Sequence, residues 1–383
     1  MKFFINSYFG DNQSIGLLSH IKKRLPYGMD DQWMVFSHYT ERGWTVDNLW
    51  HIFTDFYGGQ YVPLAFLSYL VLYAGFGYDP FYFHMFSLLL HIGCVCLVWK
   101  LISSLLRVHG GVSEKQILYV NFITTLLFAV HPINVEAVAW ISALKVLLYA
   151  FFYLLGLLCY LRYIRTSKIF YYVLTIGCFL CSFWGKEQAV TFPLALLIVD
   201  WFTNRNMKNL EVWSEKMSFL IMAFFFGIIT VLSQGKGPYE MIFPLYQRLL
   251  FGCFALVEYI TKSLLPVNLN FFYPFPIVLG EEPPLHYYLY PVVLLFLMGW
   301  IIAYRNNRYL VFGVLLFLVN LLFSIHLFNM SRHAIVADRY MYLSYVGIAF
   351  LIANGIWWLR KRLSYFKAAL VFLFFYCFFL SVY

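Results

Sequence analysis

Charged side chains are scarce in this chain of 383 residues. They make up 12% of the sequence and hydrophobic residues make up 62%, whereas a soluble domain carries about 25% charged residues. So few charges cannot cover a water-exposed surface. The alternating polarity of membrane β-strands is also absent, and a backbone in lipid must satisfy its own hydrogen bonds. The sequence therefore predicts an all-α, polytopic integral membrane protein.

The basic excess and the cysteines do not indicate a nucleic-acid or metal partner. The net charge is +9, but Lys and Arg in a membrane protein usually mark the cytoplasmic loops, because they resist translocation. The seven cysteines all lie inside apolar runs, where a thiol is more often a packing residue than a ligand. We therefore expect membrane lipid, and no nucleic acid, around this chain.

Apolar runs long enough to approach the thickness of a bilayer recur along most of the sequence. About ten transmembrane helices are predicted, near residues 80–105, 117–131, 143–163, 169–185, 188–203, 217–233, 288–304, 309–327, 340–359 and 366–383. The connections at 107–115, 162–168, 205–216, 305–308 and 360–367 are basic. If these connections are cytoplasmic, all ten runs alternate correctly and both chain ends lie outside.

Two segments depart from this pattern. The run 249–266 contains Glu258 and Lys262, and counting it as a crossing would place the later basic loops outside. It is therefore predicted to be a re-entrant or interfacial helix. Residues 1–79 contain no crossing run. They are predicted to form an outer N-terminal segment with an interfacial helix at 61–77, where Pro63 and Gly75 interrupt the apolar stretch, ahead of a helical domain at 80–383.

The predicted topology collects most of the unusual polar residues at the outer ends of the helices. An ionisable group at a membrane helix centre costs roughly 2.5–3.5 kcal/mol on insertion scales, so a group of such residues on one face indicates a functional site. The alternative is that each is a solvated loop residue. The set comprises Asp30, Asp31, His131, Glu136, Lys186, Glu187, Asp338 and Arg339.

These residue types suit one class of reaction. A carboxylate in an aqueous pocket can deprotonate a hydroxyl acceptor as general base. Fixed cations can hold a phosphate and stabilise the charge that develops on it as it leaves. At the outer membrane boundary, this combination indicates sugar transfer from a lipid-phosphate donor. No metal or other cofactor is required, since fixed cations can serve the phosphate.

Four motifs carry a resemblance to a known family. They are Asp30-Asp31-Gln32 with the following 61–91 stretch, His131-Pro-Ile-Asn-Val-Glu136-Ala-Val, Gly185-Lys186-Glu187-Gln188, and Ala337-Asp338-Arg339-Tyr340. In this order they resemble the GT-C superfamily of polyprenyl-phosphate-sugar-dependent glycosyltransferases. The similarity is greatest to the membrane portion of the transmembrane-and-TPR O-mannosyltransferases and their bacterial relatives, and it runs from about residue 30 to residue 350.

The resemblance implies a role for each residue. An Asp of the first outer loop acts as base in such enzymes, which corresponds to Asp31 or to its neighbour Asp30, with Asp31 favoured. The donor phosphate would be bound by Lys186, Arg339 and Arg332. The pocket would be shaped by His131, Glu136, Glu187 and Asp338. For His131, a structural role at the helix end before Pro132 is an open alternative.

The expected protein is a multi-pass glycosyltransferase (a hexosyltransferase) of a bacterial inner membrane, active on the periplasmic side. It would move one sugar, with inversion, from a polyprenyl-phosphate donor to a hydroxyl of a surface glycan, a lipid-linked oligosaccharide or a protein. Two features of the family are missing from the sequence, a span before the Asp-Asp loop and the TPR repeats. An inactive scaffold or fragment is therefore one alternative, and a transporter or flippase is the other.

Overall fold

The computed structural model describes residues 31–234, 243–270, 272–327, 334–360 and 376, and this part of the chain is mostly helical. Its one sheet consists of β1 (Tyr273–Pro274) and β2 (Ala334–Val336), which pair antiparallel. The predicted all-α class is confirmed.

The α-helices of the described residues fall into two groups. The N-terminal segment contains α1 (Asp31–Met34), α2 (His38–Glu41), α3 (Val46–Thr54) and α4 (Pro63–Phe76). The remainder contains α5 (Pro80–His109), α6 (Glu114–Val130), α7 (Val135–Ala139), α8 (Leu144–Thr166), α9 (Ile169–Gly185), α10 (Phe192–Phe202), α11 (Leu210–Gln234), α12 (Leu245–Leu264), α13 (Leu289–Ala303), α14 (Arg308–Leu321) and α15 (Met341–Leu359). Short 3-10 turns precede several of them, at Pro132–Asn134, Ile141–Ala143, Glu187–Thr191, Leu285–Tyr288 and Asp338–Tyr340.

Local capping residues determine where several long helices begin. The Asp79 side chain accepts from the N–H of Phe81 at the start of α5, and Ser113 caps α6 in the same way. Asn307 accepts from two N–H groups at the start of α14. Such side chains satisfy backbone donors that have no partner within the helix.

The long helices bring two sets of connections to opposite ends of the bundle. At one end, which we call the site end, Gln188 donates to the Ser324 hydroxyl at 2.8 Å and the turns around 131–144 and 338–341 pack together. At the opposite end the His109 ring bonds to the Phe202 carbonyl oxygen at 2.7 Å. The basic connections 107–115 and 205–216 lie at this opposite end.

Among the described residues, five helical segments are long and apolar enough to cross a membrane: Pro80–His109, Ile141–Thr166, Leu210–Ser233, Leu285–Ala303 and Asp338–Leu359. The bent pair Glu114–Val130 and Pro132–Ala139, at 52°, would make a sixth. This supports a multi-pass membrane protein but not a count of about ten spans, and the run 366–383 lies outside the described residues except for Tyr376.

The difference in span count has a physical cause. The runs 169–185, 188–203 and 309–327 form helices of 17, 11 and 14 residues. A hydrocarbon core of about 30 Å requires about 20 residues at 1.5 Å each. Hydropathy counted every apolar residue in these runs, but 169–185 is a single helix of only 17 residues, while 188–203 and 309–327 lie partly in turns or bends. Of 188–203, for example, the first four residues belong to the turn Glu187–Thr191.

Helix α12 corresponds to the run 249–266 and is not among the membrane-crossing candidates. It contacts residues of the site end along its length. Gly252 lies so close to the Ile325 carbonyl oxygen that a Cβ there would collide with it. Further along, the Tyr259 hydroxyl accepts from the Ala337 N–H at 3.1 Å. The helix therefore lies against the site end, where it contributes Lys262 to the charged residues described below.

The N-terminal segment has a small core of its own, which packs on the start of α8. Met34, Tyr39 and Phe66 are buried in it together with Leu144. Helix α4 is continuous, so Pro63 and Gly75 do not interrupt it. Pro63 occupies the first helical turn, where a missing N–H costs nothing, and the helix ends at Gly77 with φ +63°.

A network of buried charges joins three helices at the opposite end. Lys216 is fully buried and pairs with Asp200 and with Glu215, the latter at 3.0 Å. Arg205 pairs with the same two carboxylates at 3.2 and 2.6 Å, and the Tyr160 hydroxyl donates to Asp200 at 2.8 Å. The Glu215 hydrogen bond raises the pKa of Arg205, so this guanidinium stays charged. Two cations therefore balance two carboxylates between α8, α10 and α11.

Candidate functional site

Asp31 is buried at the start of α1, with 2% of its surface exposed. Its Oδ1 accepts hydrogen bonds from the backbone N–H of Ser142, at 3.0 Å, and from the Ser142 hydroxyl. These bonds hold the carboxylate in one orientation against the turn that precedes α8. The neighbouring candidate Asp30 lies outside the described residues.

Lys145 is a second buried charge beside this turn, and sequence analysis missed it. It is 5% exposed, and its Nζ donates to Gln60 Oε1 at 2.7 Å and lies 3.7 Å from Met34 Sδ. Lys145 is three residues after Ser142, so one helical turn carries both the hydroxyl that holds Asp31 and a cation. A lysine inside the apolar run 143–163 was the signal that could have identified it, because such a charge is costly in a membrane.

Glu136 and Arg339 form a pair across the site end. The Arg339 N–H donates to Glu136 Oε2 at 2.7 Å, and Arg339 Nη1 donates to Oε1. The guanidinium carbon lies 5.0 Å from the centre of the Trp140 ring and 5.1 Å from that of Tyr340. Both contacts suit the planar guanidinium. The structure thus brings together two residues of the predicted set that are 203 positions apart.

Lys186 reaches the same aromatic residue from another helix. Its Nζ lies 4.7 Å from the centre of the Tyr340 ring, and the side chain is 3% exposed. The preceding Gly185 permits this placement. A Cβ on Gly185 would lie 2.7 Å from the backbone nitrogen of Tyr149, so only glycine lets the end of α9 approach α8 this closely. Lys186 and Arg339 are therefore both close to the Tyr340 ring.

Asp338 is 3% exposed and belongs to a third group of polar residues. Both of its oxygens accept from the Tyr273 hydroxyl, at 3.1 and 2.9 Å, and Lys262 Nζ lies 3.9 Å away. Lys262 also donates to the Tyr273 oxygen at 2.6 Å. Burial, and next the Asp338 carboxylate, raise the pKa of Tyr273, which keeps the phenol protonated as a donor. Tyr273 was not predicted, since nothing in its local sequence marks it.

Two of the remaining candidates lie at the site end without belonging to these groups. His131 caps the turn Pro132–Asn134: its Nδ1 accepts from the Ile133 N–H at 3.2 Å, and its ring packs on Tyr345. This is the structural helix-end role that the sequence left open. Glu187 is half-buried, and its side chain makes no hydrogen bond or ion pair to the residues that the structure describes. Arg332 lies outside those residues.

The segment 136–145 contacts both Asp31 and Arg339, and so joins the group around Asp31 to the group around Arg339. Glu136 and Trp140 contact Arg339, while Ser142 holds Asp31 and Lys145 lies one turn further. The Asp31 carboxylate could take a proton, and the cations Lys145 and Arg339, which this segment carries or contacts, could hold an anion. Within the described residues, no group of three or more His, Cys, Asp or Glu side chains could hold a metal ion. The arrangement suits acid–base chemistry next to a bound anion.

The fold and these residues together define a helical, multi-pass membrane protein with buried charges of both signs at one end. The relatives found by comparison with known proteins include several protein O-mannosyl-transferases. The protein O-mannosyl-transferase TMTC2 of Mus musculus is 32% identical over 189 residues, which are 45% of this chain and 21% of that protein. The protein O-mannosyl-transferase TMTC4 of Homo sapiens is 31% identical over 165 residues, 38% of this chain and 22% of that protein.

A relative from a third organism is also a protein O-mannosyl-transferase. The protein O-mannosyl-transferase Tmtc3 of Drosophila melanogaster is 28% identical over 172 residues, which are 40% of this chain and 18% of that protein. The matched part of the chain thus covers about a fifth of the length of these relatives. No family model and no solved structure matches the chain. The predicted resemblance to the membrane portion of these glycosyltransferases is confirmed.

Proposed function

We propose that this chain is a membrane glycosyltransferase of the GT-C type that moves a sugar from a polyprenyl-phosphate donor to a hydroxyl acceptor. The observation that carries the proposal is the buried carboxylate of Asp31, oriented by Ser142 and adjoined by a segment that also contacts Arg339. The names of the relatives support sugar transfer and make mannose and a protein hydroxyl the first donor sugar and acceptor to test.

The proposed reaction is a single displacement. The acceptor oxygen attacks the anomeric carbon and loses its proton to the Asp31 carboxylate, which Ser142 holds in one orientation. The bond from the anomeric carbon to the phosphate oxygen breaks, with inversion at that carbon. The phosphodiester of the donor becomes a phosphate monoester and gains one negative charge. Cations near this phosphate stabilise the charge as it develops.

Lys186 and Arg339 are the proposed phosphate-binding residues. Lys186 Nζ lies 4.7 Å and the Arg339 guanidinium carbon 5.1 Å from the centre of the Tyr340 ring, which places two positive charges within one small region. Arg339 uses its backbone N–H and one guanidinium nitrogen for Glu136, and a guanidinium has five N–H donors in total. It can therefore bind Glu136 and a phosphate at once. Asp338, Tyr273 and Lys262 hold the turn that carries it.

We assign the site end to the periplasmic side of a bacterial inner membrane, with an outer segment at 1–79 and α12 lying at the interface. The alternation of basic connections supports this orientation. Reporter fusions are expected to show a cytoplasmic location at Ser167, Asn209 and Asn306, and an outer location at Asn134 and Gly280. A cytoplasmic signal at Gly280 would mean that α12 crosses the membrane and would contradict its interfacial placement.

The activity can be tested with membranes that contain the full chain and a labelled polyprenyl-phosphate mannose. We expect label to appear on protein or glycan hydroxyls only when the chain is present. Movement of the intact labelled lipid across the bilayer without transfer would favour the transporter alternative. If label neither moves nor transfers with any of several donor sugars, the scaffold alternative is supported.

Replacing Arg339 with lysine is expected to reduce the apparent donor affinity and the transfer rate together, by about 10–100-fold in kcat/KM. A hydrogen bond to a charged group contributes about 1.5–3 kcal/mol. The lysine variant keeps the backbone N–H bond to Glu136, but its single ammonium cannot replace a planar fork that bonds to Glu136 Oε1 and grips a phosphate at the same time. The matched control is Arg308→Lys at the opposite end, where Arg308 lies 5.3 Å from the Trp201 ring. Equal losses in both variants would show that stacking on an aromatic ring, rather than phosphate binding, explains the effect.

A further inference from the structure

A groove of about 410 Å³ lies between α5 and α6, far along the bundle from the proposed catalytic residues. The two helices are antiparallel, so the end of α5 and the start of α6 line the same part of the groove. That part is polar, and the part further along both helices is mostly apolar. Arg107, Glu114 and Lys115 line it at the opposite end of the bundle, where α5 ends and α6 begins. Trp99 and Asn121 line it about two turns further into the membrane region, roughly 10–12 Å away at 1.5 Å per residue.

The polar part of the groove carries a net charge of +1. Arg107 Nη2 lies 3.1 Å from Glu114 Oε2, so this pair is balanced and Lys115 contributes the excess. A single phosphodiester group, which carries one negative charge, matches that excess. The Glu114 carboxylate can in addition accept hydrogen bonds from hydroxyl groups.

Asn121 supplies a second, independent observation. It is 2% exposed and lines the groove, yet its side-chain amide makes no hydrogen bond to another residue of the described part of the chain, and its Oδ1 is buried. Buried polar groups in proteins are nearly always paired. An amide has both donors and an acceptor, so a polar group that enters the groove would be its partner.

The walls of the groove at this depth are apolar and face outward. Trp99 is 37% exposed and Leu118 is 57% exposed. Both lie on helices of the membrane region, so these side chains are available to lipid. An indole at such a level is typical of the boundary between headgroups and hydrocarbon. A free phosphate would contact only the polar part of the groove, whereas a lipid would occupy the full length of the groove.

We propose that this groove binds one anionic phospholipid of the phosphatidylglycerol type. Its phosphate lies at Lys115 and Arg107, and its headgroup hydroxyls contact Glu114. The ester carbonyl of its glycerol backbone accepts from the Asn121 amide, and an acyl chain packs on Trp99 and Leu118. This site is separate from the proposed catalytic residues, and it stands whether or not the chain transfers sugar.

The proposal can be tested on the full chain, purified in a mild detergent and titrated with lipid while bound lipid is counted by native mass spectrometry. We expect one molecule of phosphatidylglycerol to be retained in preference to phosphatidylcholine with the same acyl chains. A basic residue at the membrane surface contributes about a fivefold gain in affinity for anionic lipid, so Lys115→Gln is expected to lose about that factor. Lys168→Gln is the control, since Lys168 is an exposed cation at the same end that does not line the groove.

A second variant separates binding from folding. Asn121→Leu removes the unpaired amide at similar volume, so the lipid-free melting temperature should not fall, while lipid affinity should fall severalfold. The proposal is overturned if phosphatidylcholine is retained equally, if Lys168→Gln loses as much affinity as Lys115→Gln, or if both groove variants bind normally. Displacement of the lipid by millimolar glycerol 3-phosphate would also overturn it, because only the phosphate would then be recognised.

Discussion

Replacing Asp31 with asparagine is expected to lower sugar transfer by a factor of about 100–10,000, the usual contribution of general acid–base catalysis. The amide keeps nearly the same shape and can still accept the Ser142 N–H bond, but it cannot take a proton from the acceptor. Donor binding should survive, because the cations at Lys186 and Arg339 are unchanged. The measurement is transfer from a labelled lipid-phosphate donor in membranes, together with donor binding.

Asp47→Asn is the matched control, since the Asp47 side chain is 78% exposed on α3 of the same segment. The Asp47→Asn variant should transfer sugar at the normal rate. Asp30→Asn is expected to lose less activity than Asp31→Asn. If Asp30→Asn abolishes transfer while Asp31→Asn retains it, the two aspartates exchange roles and the family assignment stands. Normal transfer in both variants would contradict a catalytic role and favour the scaffold alternative.

Lys216→Met is expected to destabilise the protein by about 3–5 kcal/mol, the typical cost of breaking a buried ion pair by removing one partner. Lys216 is fully buried, and its loss leaves Asp200 and Glu215 with Arg205 as their remaining cation in the network. The free energy of unfolding can be measured by titration with sodium dodecyl sulfate. This change lies at the opposite end from Asp31, so donor binding by the folded fraction should be normal.

The control for this variant is Lys208→Met, eight residues earlier and exposed. It should change the free energy of unfolding by less than about 0.5 kcal/mol, as surface substitutions usually do. A double variant, Lys216→Met with Asp200→Asn, should recover part of the loss, because the uncompensated carboxylate is then removed. If Lys216→Met is as stable as the control, the charges of the network do not hold α8, α10 and α11 together.

Sequence reasoning worked best where the determining interaction is local. A membrane helix was predicted near 80–105, and α5 begins at Pro80 because the Asp79 side chain caps its first turn. Hydropathy also identified the stretches that become membrane helices. It failed at the start of the run 188–203, where residues 188–191 were counted as part of a span but belong to the 3-10 turn Glu187–Thr191. Hydropathy averages composition over a window and contains no information about where a backbone bends.

For a different reason, the sequence could not predict which site residues bond to each other. Glu136 and Arg339 were both predicted to lie at the site, but nothing in either motif indicates that they bond to each other, since 203 positions separate them. Lys145 was missed because a single lysine in an apolar run carries no motif. Its significance comes from Gln60 and Met34, which only the tertiary fold places beside it.

The segment 136–145 has a consequence for altering specificity. Because its residues contact both Arg339 and Asp31, a substitution there would shift the proposed phosphate-binding and base positions together. Donor and acceptor preference should therefore be varied elsewhere. Tyr273 bonds to Asp338 and Lys262, on the Arg339 side, whereas Gln60 bonds to Lys145, on the Asp31 side. Libraries confined to these two regions would explore the two specificities separately while leaving the shared segment intact.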